Sequence, residues 1–174
     1  MKRLRGHLSG IRIPTPGPIV TMGGLLLVCL WLVKLLYFPT LGFFGTPIAS
    51  LDKTIENMGD LSIEEDGVST FTIKNAGTAP LKISDIQTSC NCVFVNVTMG
   101  GITTGKFTHP SYTKPSLRGW SGEISPNQSA TFEVIFSPDD YIVYGHVIRQ
   151  AIIATNDPDH PTITLEIRAN VLEQ

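Results

Sequence analysis

Two cysteines separated by one residue are the residues of this sequence whose types and spacing could do chemistry. They lie in the stretch TSCNCV, as Cys90 and Cys92. In an extended strand such side chains point to the same face, with Cα atoms about 6.5–7 Å apart, which is at the limit of disulfide geometry. Three interpretations stay open: a structural pair (buried thiols or a strained disulfide), ligands of a soft metal, or a redox-active pair.

A metal site would need further ligands, because zinc and copper(I) are held by several cysteine, histidine or methionine side chains. The nearest candidates are His109 and Met99, and neither stands in a recognised ligand spacing. The candidate metal ligands are therefore Cys90, Cys92 and His109, without a pattern that supports them, and no cofactor is predicted.

No constellation of catalytic residues is found. Ser89, Ser121 and Ser125 lack the context of a nucleophile elbow, and the sequence has neither a paired-carboxylate arrangement nor a phosphate-binding glycine loop. We expect a protein that is not an enzyme and has no small-molecule substrate.

The compartment of the thiols follows from an apolar segment near the N-terminus. Residues 19–38 are 20 residues with Lys34 as their only charge, and a helix of that length crosses one hydrocarbon core of about 30 Å. Four Lys and Arg residues precede this segment, and the first one after its end is Lys53. The positive-inside rule predicts a single-pass protein of the cytoplasmic (inner) membrane, with a cytoplasmic N-terminus and a periplasmic or extracellular C-terminal part.

A cleaved signal peptide is the rival interpretation. The apolar run is too long for one, and the best small-residue site, Pro47-Ile48-Ala49, matches a cleavage site poorly. We therefore expect an uncleaved anchor, in which Cys29 is a small apolar residue.

The part beyond the predicted helix is acidic. It holds eight Lys and Arg against fifteen Asp and Glu, a net charge of −7. This charge argues against nucleic acid as a partner.

Four regions are predicted along the chain. A basic cytoplasmic tail at 1–17 is followed by a transmembrane helix at 18–38, a juxtamembrane linker at 39–52 and a β-rich domain at 53–174. The domain shows short alternating segments separated by Gly, Pro, Asn and Asp, at 68–73, 81–86, 92–97, 130–136, 147–155 and 162–171. About seven such strands predict an all-β, immunoglobulin-like antiparallel β-sandwich preceded by one transmembrane α-helix.

One family resemblance is carried by the run FTIKNAGTAPLKI at 71–83 and by TSCNC at 88–92. These residues resemble a bacterial family of extracytoplasmic immunoglobulin-like domains of unknown function, whose pattern is F-x-x-x-N-x-G-x-x-P-L-x-I followed by Ser-Cys-Gly-Cys-Thr. In outline the chain is also similar to major-sperm-protein-like and Hydin-type sandwiches, which mostly bind or scaffold. The resemblance covers about 55–172 and implies a fold and a compartment, but no activity.

The motif departs from the family at Asn91, where relatives carry glycine. Asparagine tolerates left-handed backbone better than most residues, so we expect a bulge between the cysteines to survive.

A long segment at 98–120 interrupts the strand pattern and is expected to be a functional loop. Aromatic residues there and near the predicted membrane surface are the candidate contacts with partners: Trp31, Tyr37, Phe43, Phe44, Phe107, Tyr112 and Trp120. The alternative is that these aromatic side chains cover the core of the sandwich itself.

The function predicted first is that of a non-enzymatic accessory or scaffolding subunit that braces the outer face of a larger membrane complex. Its partners would be other membrane-protein subunits, and a respiratory or photosynthetic electron-transfer complex is a plausible host. The alternative is an extracytoplasmic metal-binding or thiol-redox module that uses Cys90 and Cys92.

Overall fold

The structure is a computed structural model that describes Gly24, residues 27–34 and residues 45–173. The chain divides into two units, Met1–Phe43 and Phe44–Gln174. In the first unit residues 27–34 are helical, and most of the span predicted at 18–38 lies outside the described residues. Within the described part, no helix has the length and apolar character needed to cross a membrane.

The second unit is an all-β sandwich. Its described residues form two five-stranded sheets, with 3-10 helices at Pro115–Leu117 and Pro138–Tyr141. The strands are β1 (Ala49–Leu51), β2 (Ile55–Ser62), β3 (Gly67–Asn75), β4 (Leu81–Thr88), β5 (Val93–Met99), β6 (Ile102–Phe107), β7 (Ser121–Ile124), β8 (Ser129–Phe136), β9 (Gly145–Thr155) and β10 (Thr162–Leu172).

The two sheets have the orders β1-β3-β8-β5-β6 and β2-β10-β9-β4-β7. Every neighbouring pair is antiparallel except β2 and β10, which run parallel. The expectation of a wholly antiparallel sandwich is wrong for this pair. The chain leaves the first sheet after β1 and enters the second sheet as β2, where it runs in the same direction as β10.

The six predicted strands are all present, and four others were missed: β1, β2, β6 and β7. β1 lies within the predicted linker at 39–52, so the sandwich begins at Ala49 rather than at residue 53. β6 lies within the segment that was expected to be a loop. It pairs with β5 across Gly100 and Gly101, whose φ angles of 56° and 81° fit the two-residue hairpin turn that demands positive φ at both positions.

The core lies between the sheets because apolar residues alternate along the central strands. In β8 the buried positions are Ala130, Phe132, Val134 and Phe136, and in β5 they are Val93, Val95 and Val97. All of these are fully excluded from solvent. The inward residues of β10, from Ile163 to Val171, close the core from the other sheet.

β4 contains a bulge that follows from the spacing of its apolar residues. Leu81 and Ile83 are two residues apart, but the next buried apolar residue is Ile86, three further on. One extra residue must therefore be accommodated, and the register with β9 shifts between Ser84 and Gln87. Asp85 absorbs the shift with a φ of 46°, a left-handed conformation that aspartate tolerates better than most residues.

Asn75 joins the N-terminal segment of the sandwich to the turn after β3. Its side-chain Nδ2 donates to the carbonyls of Ala79 and Ile124, at 2.8 Å each, and its Oδ1 accepts from the Gly77 N–H at 2.9 Å. A Cβ at Gly77 would lie 2.1 Å from the carbonyl oxygen of Thr46. The N-x-G part of the motif is therefore structural, because the chain at 46–48 passes directly over this turn.

Asp157 fixes the start of β1 to the turn between β9 and β10. Its buried carboxylate accepts hydrogen bonds from the N–H groups of Ala49 (2.8 Å) and Asp159 (2.9 Å), and lies 3.1 Å from His160 Nδ1. Burial acts to raise the pKa of Asp157, but these three groups lower it by more, so the net pKa is below the ordinary value of 3.8.

Replacing Asp157 tests this attachment. Asp157→Asn should lower the free energy of unfolding at neutral pH by about 1–3 kcal/mol, because an amide NH₂ cannot accept the second backbone N–H. The pKa of Asp157 is lower in the folded state than in the unfolded state. Its carboxylate therefore stabilises the fold at pH values above the unfolded-state pKa of about 3.8, and this contribution is lost as the pH falls through the folded-state pKa. The deficit of the variant, measured by denaturant unfolding, should therefore shrink in acid.

The matched control is Asp159→Asn, since Asp159 is exposed and uses only its backbone N–H here. It should change stability by less than about 0.5 kcal/mol. A deficit of Asp157→Asn that stays constant from neutral to strongly acidic pH would contradict the assignment.

Candidate functional site

The two cysteines of TSCNCV form a disulfide. Their sulfur atoms are 1.98 Å apart and their Cα atoms 5.3 Å apart, closer than an extended strand allows. The chain bends between β4 and β5 to bring them together. The expected left-handed residue is absent from this bend, because the non-glycine residues with positive φ in the described chain are Asp85 and Asn127, not Asn91.

Hydrogen bonds from both sheets hold this disulfide bend. The N–H of Ser89 donates to the carbonyl of Gln150 in β9 at 2.9 Å, and the N–H of Ser137 donates to the carbonyl of Cys92 at 2.9 Å. The Thr88 hydroxyl lies 2.6 Å from the Cys90 carbonyl oxygen. Since β4 and β5 belong to different sheets, the disulfide closes the crossover between them.

The structure does not bring the candidate metal ligands together. The sulfur atoms of Cys90 and Cys92 are bonded to each other, and His109 uses its Nδ1 to accept a hydrogen bond from the Ser111 N–H at 3.4 Å, with its ring beside Tyr112. No group of three or more potential ligands is found among the described residues. In this oxidised state the thiols are not available to a metal.

The chain between β6 and β7 forms an ordered segment with its own hydrogen bonds. The Thr113 hydroxyl donates to the Thr108 carbonyl at 2.9 Å, and the Trp120 N–H donates to the Leu117 carbonyl at 3.2 Å. The Trp120 ring packs on Phe107, with ring centroids 5.1 Å apart. These contacts hold the segment in place without any partner strand.

A groove lies between this segment and β4. We call it the β4 groove, and its volume is about 440 Å³, within the usual range for ligand sites. Its floor and walls are apolar at Ile86, Phe107, Leu117 and Trp120, with polar side chains around them. The complete lining is Asp85, Ile86, Gln87, Phe107, Pro110, Ser111, Thr113, Leu117, Arg118, Gly119 and Trp120.

One wall of the β4 groove is an open strand edge. β7 pairs with β4 only as far as Ser84, opposite Ser121. Beyond that point no described strand pairs with β4 on this side. The Ser89 N–H bonds to β9, so by alternation the N–H groups of Thr88 and Ile86 point away from β9, toward the open edge.

The sequence around the β4 groove lacks the excess of acidic residues that the domain as a whole carries. Residues 86–122 contain Lys106, Lys114 and Arg118 and no Asp or Glu, whereas the domain is strongly acidic. Arg118 lines the groove, and Asp85 is the one acidic side chain in its lining. The described residues show no ion pair for Lys114 or Arg118.

The predicted partner-contact residues separate into three groups. Phe107 is 2% exposed and belongs to the core, as the alternative interpretation expected, and it also lines the β4 groove; its role as a contact residue stays a prediction. Tyr112 is exposed and Trp120 half-buried at the groove. Trp31 is exposed in the helical residues 27–34, and Tyr37, Phe43 and Phe44 lie outside the described residues.

Most of the groove was not predicted from the sequence, including Asp85, Ile86, Gln87, Leu117 and Arg118. Two signals could have found it: the three-residue step from Ile83 to Ile86, which requires a bulge, and the long stretch without acidic residues in an acidic domain.

The oxidation state of the cysteines can be measured directly. The unreduced, denatured protein should titrate one free thiol per chain, Cys29, and three after reduction. Cys90→Ala/Cys92→Ala should lower the free energy of unfolding by about 1.5 kcal/mol, because so short a loop restricts the unfolded chain only slightly. Three thiols in the unreduced protein would contradict the structure.

The roles of Phe107 and Tyr112 are distinguished by truncation. Phe107→Ala should lower the free energy of unfolding by about 3–5 kcal/mol, because it leaves a cavity in the core. Tyr112→Ala removes an exposed ring and should change it by less than about 0.5 kcal/mol. Chemical denaturation of the two variants checks this, and similar costs for both would refute the assignment of Phe107 to the core.

Comparison with known proteins supports the fold and leaves the activity open. Residues 49–111, about a third of the chain, match the model of a family described as "Protein of unknown function (DUF1573)". No curated protein matches the chain. The match includes the motif run at 71–83 and both paired cysteines, although the chain carries Asn91 between them.

Solved structures share the sandwich at low identity. A protein of unknown function from Porphyromonas gingivalis W83 has a TM-score of 0.54 and 19% identity, over 72% of this chain and 47% of that one. A family 123 glycoside hydrolase from Clostridium perfringens has a TM-score of 0.50 and 11% identity, over 74% of this chain and 27% of that one. The chain thus spans about half of the first protein and about a quarter of the second. The likeness shows an immunoglobulin-like β-sandwich.

Proposed function

We propose that this protein is a non-enzymatic, membrane-anchored accessory or scaffolding subunit whose sandwich binds partner proteins through the β4 groove. The observation that carries the proposal is the groove itself, in which an open strand edge lies beside a half-buried tryptophan on an ordered segment. Open edges and aromatic side chains are features that protein-binding surfaces use.

The proposal places the domain outside the cytoplasm, beside the membrane. A disulfide is typical of an oxidising compartment, which agrees with the orientation expected from the basic residues before the apolar segment.

A thiol-redox role is the second candidate, and one observation favours it. Cys90 lines a cavity of about 320 Å³ with Arg149 and Tyr141, and the Nε of Arg149 has no hydrogen-bond partner among the described residues. A neighbouring cation stabilises a thiolate, so Arg149 would favour the reduced form of Cys90. Against this role, Cys92 is fully buried and the bend is bonded to both sheets.

Purification from native membranes in mild detergent tests the scaffold. The full-length protein should co-purify with membrane-protein partners in fixed stoichiometry. Cys90→Ala/Cys92→Ala should retain the same partners, because neither cysteine lines the β4 groove. Recovery of the wild type as a monomer without partners would contradict the scaffolding role. Loss of partners in a double variant that still folds would favour the thiol-redox role.

A further inference from the structure

We infer that the β4 groove binds an extended, acidic polypeptide segment of a partner protein, which adds a short strand to the open edge of β4. The inference rests on the proposed function, since it names the kind of segment that the scaffold binds. Its basis is the coincidence of three features at one place: unpaired backbone groups, an apolar floor and local positive charge.

The unpaired backbone groups of β4 beyond Ser84 fit a polypeptide as the ligand. The ladder between β4 and β7 ends at Ser84 opposite Ser121, and continuing that register would place Arg118 opposite Gln87. Instead the 3-10 helix Pro115–Leu117 leads the chain away. The backbone N–H and C=O groups from Ile86 to Thr88 are spaced as in a β-strand. Only an extended polypeptide carries N–H and C=O groups at the same spacing, as in known cases of strand addition.

The chain itself does not use this edge. No described backbone hydrogen bond joins residues 85–87 to residues 108–120, whose own polar groups pair within the segment through Thr113, Leu117 and Trp120. The edge and the segment therefore face each other across the groove without closing it.

The apolar floor selects the inward side chains of the incoming strand. Ile86 and Phe107 are buried beneath the groove, and Leu117 and Trp120 are partly buried against the same core. A strand beside β4 places every second side chain over this floor. The bound segment should therefore carry apolar residues at alternate positions.

The local charge selects the other side chains. Arg118 lies in the wall of the groove, and Lys114 is exposed one residue before the 3-10 helix. Asp85 is the single opposing carboxylate in the lining. Arg118 and Lys114 outnumber Asp85 at this place, so carboxylates on the bound segment complement the surface, whereas a basic segment would meet like charge.

Binding of synthetic peptides to the purified full-length protein in detergent tests the inference. The probe is a blocked, fluorescent peptide of about eight residues in which Val and Glu alternate, and its matched control replaces each Glu by Lys. We expect saturable binding of the acidic peptide, weakened by added salt, and at least about ten-fold weaker binding of the basic one.

N-methylation tests whether the contact is a strand pairing. In a strand, the N–H groups of alternate residues face the same edge. Methylation of the peptide N–H groups that face β4 should therefore weaken binding by about ten-fold, through loss of about two hydrogen bonds. Methylation of the N–H groups that face away from β4 should change binding little. Equal loss with both sets, or with neither, would overturn strand addition.

Two exposed cations provide the matched protein variants. Arg118→Glu should weaken binding of the acidic peptide by about five-fold, and Lys74→Glu, on the outer face of β3, by less than about two-fold. Both residues are exposed, so both variants should fold. Equal effects of the two variants on peptide binding would overturn the inference. Self-association of the wild-type protein that Arg118→Glu abolishes would also overturn it, because a second copy of the chain would then occupy the groove.

The scaffold role and the binding of an acidic strand in the β4 groove are contradicted by different results. If partners co-purify equally with the wild type and with Arg118→Glu and the acidic peptide does not bind, the scaffold stands and the groove inference is wrong. If the peptide binds as described but no partners co-purify, the inference stands and the proposed membrane-complex role is wrong.

Discussion

The bulge at Asp85 is the constraint on which the candidate site depends. It keeps Ile86 and Thr88 facing the core after Leu81 and Ile83, at the cost of a left-handed residue in the strand. β7 follows β4 only as far as the residue before the bulge. From that point the Phe107–Trp120 contact and the 3-10 helix hold the returning chain at a distance, and the β4 groove is the space between them.

The rest of the sandwich gives this site a fixed frame. The disulfide bend closes the crossover immediately after β4, and Asn75 binds the carbonyl of Ile124 at the end of β7. Asp157 attaches β1 to the turn between β9 and β10. A binding surface needs such support, because a preordered strand edge loses little conformational entropy when a partner strand pairs with it.

Sequence reasoning found the fold because strands such as β8 and β10 alternate strictly between apolar and polar residues. It missed β6 and β7, which are short and rich in Gly, Thr and Ser and are stabilised by their neighbours rather than by their own pattern. It left the cysteines open, because spacing alone does not show how the backbone bends. The groove depends on where two distant segments fail to pair, which no local pattern encodes; the step from Ile83 to Ile86 and the stretch without acidic residues were its signals in the sequence.

The central claim is that the edge of β4 beyond Ser84 is open in the isolated protein and is paired by its partner. Amide hydrogen exchange at Ile86 and Thr88 measures this directly, with Ser89, bonded to β9, as the internal reference. The account predicts that Ile86 and Thr88 exchange faster than Ser89 in the purified protein and slow markedly in the complex isolated from membranes. Equal protection of all three in the purified protein, or unchanged exchange of Ile86 and Thr88 in the complex, would contradict it.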